Sequence, residues 1–300
     1  MLAEVLAALE PKAGGHYADG TVGGAGHAWA ILRASAPGGW LYGCDRDGAA
    51  IEAATERLAE FAGRFQLRRG TFDELADWVP SGSCDGVLLD LGVSSPQLDR
   101  PERGFSFQQE GPLDMRMDQR QALTAGQLVN EASAEELAKI LWELGEERES
   151  RRIARRILNE RKLGRIETTR QLAGLVEKVI PRRGQRMHPA MRVFQALRMA
   201  VNDELGVLRR GLPAVWRIVK TGGRLAVITF HSLEDRAVKE FGRELARDYA
   251  VAGPVDVPEL RLPKAPELRW VSRKAIQPAA EEIAANPRAR SAQLRVVQKI

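Results

Sequence analysis

Short apolar runs alternate with helical stretches through the first third of the chain, and the runs end in glycines or acids. Tyr17-Ala18-Asp19 opens onto the turn Gly20-Thr21-Val22-Gly23-Gly24-Ala25-Gly26, and a helical run from His27 to Ala34 follows. Trp40 to Asp45 and Phe65 to Arg69 read as a second and a third strand. The stretch between them, Ala49 to Phe61, puts Ile51, Ala54, Leu58 and Phe61 on one helical face. Asp85 to Asp90 is a fourth strand, apolar on both faces as a buried parallel strand must be. This β–α–β–α rhythm specifies an open α/β sheet with right-handed crossovers.

The rhythm stops near Arg100. Helical patterns take over at Ala134 to Leu144, Glu149 to Arg161, Thr169 to Val179 and Pro189 to Leu208. The last carries Phe194, Leu197, Val201, Leu205 and Leu208 as one core-facing stripe. Strand character returns at Gly223 to Phe230, a helix follows over Leu233 to Arg247, and two late runs, Arg269 to Ile276 and Ala292 to Ile300, can close the sheet. The economical architecture is one α/β domain built from residues 1–98 and 207–300, interrupted by a helical insertion over 99–206. Pro254 to Pro266 reads as a Pro-rich linker.

Composition narrows the function classes. With 44 % hydrophobic and 28 % charged residues the chain is neither disordered nor fibrous. It has no apolar run long enough to span a bilayer, and its first ten residues lack the basic leader of a secretory signal. Two cysteines, Cys44 and Cys84, are too few for a disulfide framework or a zinc cage, and they read as reduced core thiols of a cytoplasmic protein. The four histidines have no metal-ligand spacing, so no catalytic metal is expected. Charge is uneven: Glu146 to Arg198 hold 15 Lys and Arg against 6 Asp and Glu, which leaves 30 against 34 elsewhere. A basic middle in a mildly acidic body suits a polyanionic partner, although a solvated Arg-rich helical surface has the same composition.

The strand ends carry the chemistry. In an open parallel sheet, ligands sit at the carboxyl ends of strands where the order reverses. The glycine turn lets a ligand approach the main chain closely. Asp45, 19 residues after Gly26, suits the two hydroxyls of a ribose, and Phe72 is placed to pack on an adenine. An adenosine-containing cofactor is therefore expected. The order G-x-x-G-G-x-G does not fit the dinucleotide fingerprint. Asp90, ending the fourth strand ahead of Leu91 to Gln97, can accept a hydrogen bond from a weakly nucleophilic amino group under attack. Each element also has a plainer reading, as a tight turn or a helix cap.

The strings Asp19 to His27, Asp90 to Asp99, Arg103 to Phe107, Gly111 to Asp118, Phe194 to Arg198, Phe230 to Arg236 and Asn286 to Ser291 resemble those of the bacterial ribosomal RNA small-subunit methyltransferase H family, also called MraW. The resemblance runs from one end of the chain to the other. It implies a class I S-adenosylmethionine-dependent methyltransferase with a Rossmann-like sheet and an inserted all-helical domain that recognises RNA. It implies N4-methylation of one cytosine in the decoding region of 16S rRNA. Carried over by motif, the S-adenosylmethionine contacts fall on Gly24, Ala25, Gly26, His27, Asp45, Phe72, Asp90 and Gln97, with Asp90 also catalytic.

Candidate RNA contacts are Arg192 and Gln195, read with Met199 and Asn202 as the helix face opposite the apolar stripe, together with Arg182, Arg183 and Arg186. His231, after the fifth strand, and Arg288 and Arg290, beside a late strand, complete the set. A target base must be single-stranded or flipped out to reach a concave site. Two other classes stay open on the residues alone. A nicotinamide dehydrogenase shares the fold and the ribose acid, and a non-catalytic RNA-binding module would account for the basic insertion.

Overall fold

A computed structural model describes residues 1–181 and 188–300. Arg182, Arg183 and Arg186 lie outside the described residues. The chain divides into two compact units, Met1–Gly92 with Leu205–Ile300, and Val93–Glu204. These boundaries fall a few residues earlier than the expected 98 and 206.

The first unit opens with α1 (Leu2–Leu9), β1 (His16–Asp19), α2 (Gly26–Ala34), β2 (Trp40–Asp45), α3 (Gly48–Arg57), β3 (Phe65–Arg69) and β4 (Cys84–Asp90). The second unit holds α4 (Ser95–Asp99), α5 (Ala125–Glu131), α6 (Ala134–Glu143), α7 (Ser150–Arg161), α8 (Thr169–Val179) and α9 (Ala190–Val201). The chain returns to the first unit with α10 (Glu204–Ile218), β5 (Val219–Thr229), α11 (Ser232–Ala246), β6 (Tyr249–Val251), β7 (Arg261–Pro263), β8 (Leu268–Trp270), α12 (Ala280–Ala285) and β9 (Gln293–Lys299).

The main sheet has the order β3-β2-β1-β4-β5-β9-β8. The strands from β3 to β5 are parallel, and β9 runs against both of its neighbours. This is the Rossmann-like class I sheet that the resemblance implied. Alternation along the strands explains why it is buried on both sides. Ala18, Val87, Leu89, Leu225 and Val227 join one apolar cluster with Leu208, Leu212 and Trp216. Tyr17, Leu88, Ala226 and Ile228 join the other with Val5, Ile31 and Leu32. The strand order reverses at β1, and Asp19 at its end pairs in register with Gly43 of β2 and Leu88 of β4. Asp45 and Asp90 therefore stand two residues beyond it on either side.

Four expectations need correction. The helix over Pro189 to Leu208 is broken: α9 ends at Val201, Asp203 takes a left-handed φ of 46°, and α10 begins anew. The apolar stripe serves two cores, Phe194, Leu197 and Val201 in the second unit and Leu208 in the first. Met199 and Asn202 are not on an open face; they are 1 % and 3 % exposed. The Pro-rich stretch is no plain linker, because β7 within it pairs antiparallel with β6 just before it. Finally, the late run from Arg269 shrinks to β8 plus an isolated bridge between Ile276 and Leu294.

The helices of the second unit start where a hydroxyl can cap them. Thr124, Ser133 and Thr168 each accept from the amide three residues on, and Gln127, Glu136 and Gln171 return the bond, so orphan amides of α5, α6 and α8 are satisfied. Asn202 ties the end of α9 to a distant loop: its Oδ1 accepts from Met117 N at 2.8 Å, and its Nδ2 donates to Met115 O at 2.7 Å and Arg198 O at 2.8 Å. Asn202→Ala should strand these buried groups and cost roughly 2–4 kcal/mol. Urea denaturation checks this, and a loss under about 0.5 kcal/mol would contradict it.

Candidate functional site

The glycine turn is pinned to the sheet on both sides. Gly20 N donates to Leu88 O at 2.9 Å, and Val22 N donates to Cys44 O at 3.1 Å. A Cβ at Gly20 would lie 2.5 Å from Leu89 and 2.6 Å from Phe72, so only glycine fits between these strands. Gly23 and Ala25 both adopt left-handed angles, φ 50° and 58°. Ala25 is fully buried. Above Gly24 and Gly26 nothing lies within 4 Å of where a Cβ would stand, so the backbone there is open to a ligand.

Asp45 closes one side. Its Oδ2 accepts from Gly23 N and its Oδ1 from Asp47 N, both at 2.9 Å. Burial raises its carboxyl above the usual range, and the two amide bonds oppose that shift. Each oxygen keeps a lone pair for a further donor.

Asp90 closes the other side. Its main-chain N donates to Thr21 Oγ1 at 2.6 Å, and Thr21 in turn donates through its amide to Asp19 Oδ1 at 3.0 Å. Asp90 Oδ2 faces His27 Nε2 at 3.5 Å. Asp90 Oδ1 and His27 Nδ1 are buried with no hydrogen-bond partner. Unsatisfied buried atoms cost free energy, and both sit at the glycine turn where a ligand would meet them. Burial alone disfavours the charged imidazole; the hydrogen bond and charge of Asp90 and the charge of Asp19 outweigh it and raise the His27 pKa. Asp19 is 1 % exposed, and burial pushes its carboxyl up to about 6 despite the opposing pull of His27 and the Thr21 amide.

The other expected residues have mixed surroundings. Phe72 is 7 % exposed, and its ring packs where a Cβ on Gly211 would meet it at 2.2 Å, so it is chiefly a core side chain beside the turn. Gln97 belongs to the second unit, where its Oε1 accepts from Ser94 N in a capping box at α4. His231 caps α11: its Nδ1 accepts from Glu234 N, and its Nε2 lies 3.1 Å from Glu234 Oε1. The ring is 12 % exposed, and its Nε2 makes no hydrogen bond there. Arg192, Arg288 and Arg290 are exposed; Gln195 is half-buried against Met199 Sδ. Cys44 and Cys84 are free, buried thiols whose pKa values burial raises.

The model of the MraW methylase family matches residues 1–300. The chain belongs to that family. It is 49 % identical to the ribosomal RNA small subunit methyltransferase H of Symbiobacterium thermophilum, over 100 % of this chain and 95 % of that protein. It is 50 % identical to the protein of that name from Geobacter sulfurreducens, covering 100 % and 97 %, and 51 % identical to the one from Desulfovibrio desulfuricans, covering 99 % and 92 %. Membership of a methylase family decides against the nicotinamide reading of the same sheet.

Within this methylase the sequence reading missed Asp19 and Thr21 as parts of the site. The signal was present: an Asp at a strand end with a Thr two residues on is the pattern of an Asx-turn, in which the side chain accepts from that amide. What it does not reveal is the reach of Thr21 to the Asp90 main chain across the sheet. Because the native Asp19 value lies above its ordinary 3.8, folding takes up a proton between the two, and stability falls as pH rises through that window. At ~1.4 kcal/mol per unit the effect is roughly 3 kcal/mol. Asp19→Asn keeps an oxygen for Thr21 and removes the ionisation. Urea melts should show the variant gaining roughly 2–3 kcal/mol on wild type between about pH 4 and about pH 8; an unchanged difference would contradict the assignment.

Proposed function

We propose that this chain transfers the methyl group of S-adenosylmethionine to N4 of a cytosine in the decoding region of 16S ribosomal RNA. The observation that carries the reading is the two strand-end acids and one helix-start histidine around one open turn: Asp45 bonded to Gly23, Asp90 bonded through its main chain to Thr21, and His27 facing Asp90. These residues fit an adenosyl cofactor. Gly24 and Gly26 leave a bare cradle, and Asp90 Oδ1 and His27 Nδ1 lack partners. When bound, the cofactor supplies an electrophilic methyl on a sulfonium.

The chain's own residues do the rest. Asp45, fixed by two amides, offers its remaining lone pairs to vicinal hydroxyls. Main-chain groups of Gly24, Ala25 and Gly26 lie against the ligand, with Phe72 behind them as a wall. Asp90 takes up a hydrogen bond from the amino group, whose lone pair is otherwise delocalised into the ring, as positive charge develops there. His27 holds the second face of that carboxylate. Placing donor and acceptor in line supplies most of the acceleration.

The helical unit recognises the RNA, and Arg192, Gln195, Arg288 and Arg290 contribute contacts to it. The names of the relatives, which specify the small-subunit ribosomal RNA, support that substrate.

Asp90→Ala should lower single-turnover methyl transfer by roughly 10²–10⁴, the range of a positioned proton acceptor. A loss below about threefold would remove Asp90 from the chemistry. Incubating the enzyme with labelled S-adenosylmethionine and small ribosomal subunits, then digesting to nucleosides, should place the label in N4-methylcytidine. Label on another atom, or none in the RNA, would overturn the reading.

A further inference from the structure

A concave pocket of about 400 Å³ lies in the second unit at the corner between α7 and α8. Arg165, from the connecting loop, and Arg170 and Lys178, from α8, line it. Arg170, Gly174 and Lys178 stand four residues apart in turn, so they share one face over two helical turns, about 12 Å. Gly174 at the centre of that face has nothing within 4 Å of a would-be Cβ, and neither has Gly164 on the loop. Leu163, Ile166, Gln171 and Leu175 complete the lining, so open main chain at Gly164 and Gly174 lies among mainly apolar side chains, with cations at the two ends.

The acids nearby do not cancel this charge. Glu160 in the pocket wall is bound by Arg156 at 2.9 Å, and Glu177, 2.8 Å from His188 Nε2, does not line the pocket. Glu131 reaches Arg165 only at 3.8 Å, with both side chains 63 % exposed, so that pair is worth little. Arg170 and Lys178 have no ion-pair partner among the described residues. Cations left unpaired in a cavity with an approachable floor are suited to phosphodiester oxygens, where Arg can bind through two N–H groups.

We propose that this α7–α8 pocket binds the phosphate backbone of the RNA substrate through Arg165, Arg170 and Lys178. The inference rests on the RNA-methylating reading above and locates a backbone-binding surface for it. Such a surface fixes the register of the RNA without reading its sequence, so it sets affinity and salt dependence.

Two variants test it with full-length protein and a single-stranded RNA carrying the decoding-region sequence. The triple variant Arg165→Gln, Arg170→Gln, Lys178→Gln should reduce the slope of log affinity against log salt by about 2, at ~0.7 for each phosphate of a single strand that is no longer neutralised. Gly174→Leu keeps every charge, fills the floor, and suits a helix better than glycine, so folding is preserved; it should weaken RNA binding at least about fivefold. If the triple variant has a shallower slope while Gly174→Leu binds normally, the cations act as diffuse surface charge and the pocket is wrong. If neither variant differs from wild type, the proposal also fails. Methyl transfer by the wild type to small ribosomal subunits separates the two levels: transfer there with unaffected variants overturns only the pocket, whereas no transfer by the wild type overturns the RNA reading together with it.

Discussion

A carboxylate with almost no access to water organises the carboxyl edge of the sheet. Asp19 ends β1, where the strand order reverses, and accepts from the Thr21 amide; Thr21 then accepts from the Asp90 main chain on the neighbouring strand. Through one hydroxyl, a buried acid in the middle of the edge fixes the residue best placed for chemistry. The cost is an ionisation displaced to about 6 and two further carboxylates, Asp45 and Asp90, that add to its repulsion. Structures retain such unfavourable charge where function requires it, and the opposing contribution of His27 is local.

The glycine turn and the acids depend on one another. Gly23 takes a left-handed angle and thereby presents its N–H to Asp45, while the clearance over Gly24 and Gly26 keeps the floor open. A larger residue at Gly20 would separate β1 from Leu89 and Phe72 and move all of these groups at once. The geometry that admits a ligand is thus the same geometry that closes the sheet.

Much of this was legible in the residues. β2 falls on Trp40 to Asp45 because continuous apolar character bounded by glycine and acid leaves a parallel strand few alternatives, and β3 falls on Phe65 to Arg69, whose mixed polarity suits the edge of the sheet where it lies. Asp45 and Asp90 were readable as strand-end acids for the same reason. The break after Val201 was not, since the apolar stripe continues through it without a fault. What ends α9 is Asn202 bonding to Met115 and Met117, residues more than eighty positions away, and no local pattern announces such a bond. Asn202 looks like surface from its polarity and Met199 from its spacing, and both are core. His231, singled out for its chemistry, also caps α11 through Nδ1, a role shared by many polar residues at that position.

The central claim is that the strand-end acids around the open turn hold an adenosyl cofactor. Calorimetric titration of the full-length protein with S-adenosylmethionine, alongside Asp45→Ala, tests it most directly. One saturable site in the wild type, weakened at least about tenfold in the variant, is the predicted result, equivalent to ~1.4 kcal/mol or more from one charge-assisted ribose contact. No binding heat in the wild type, or equal affinity in the two proteins, would contradict it.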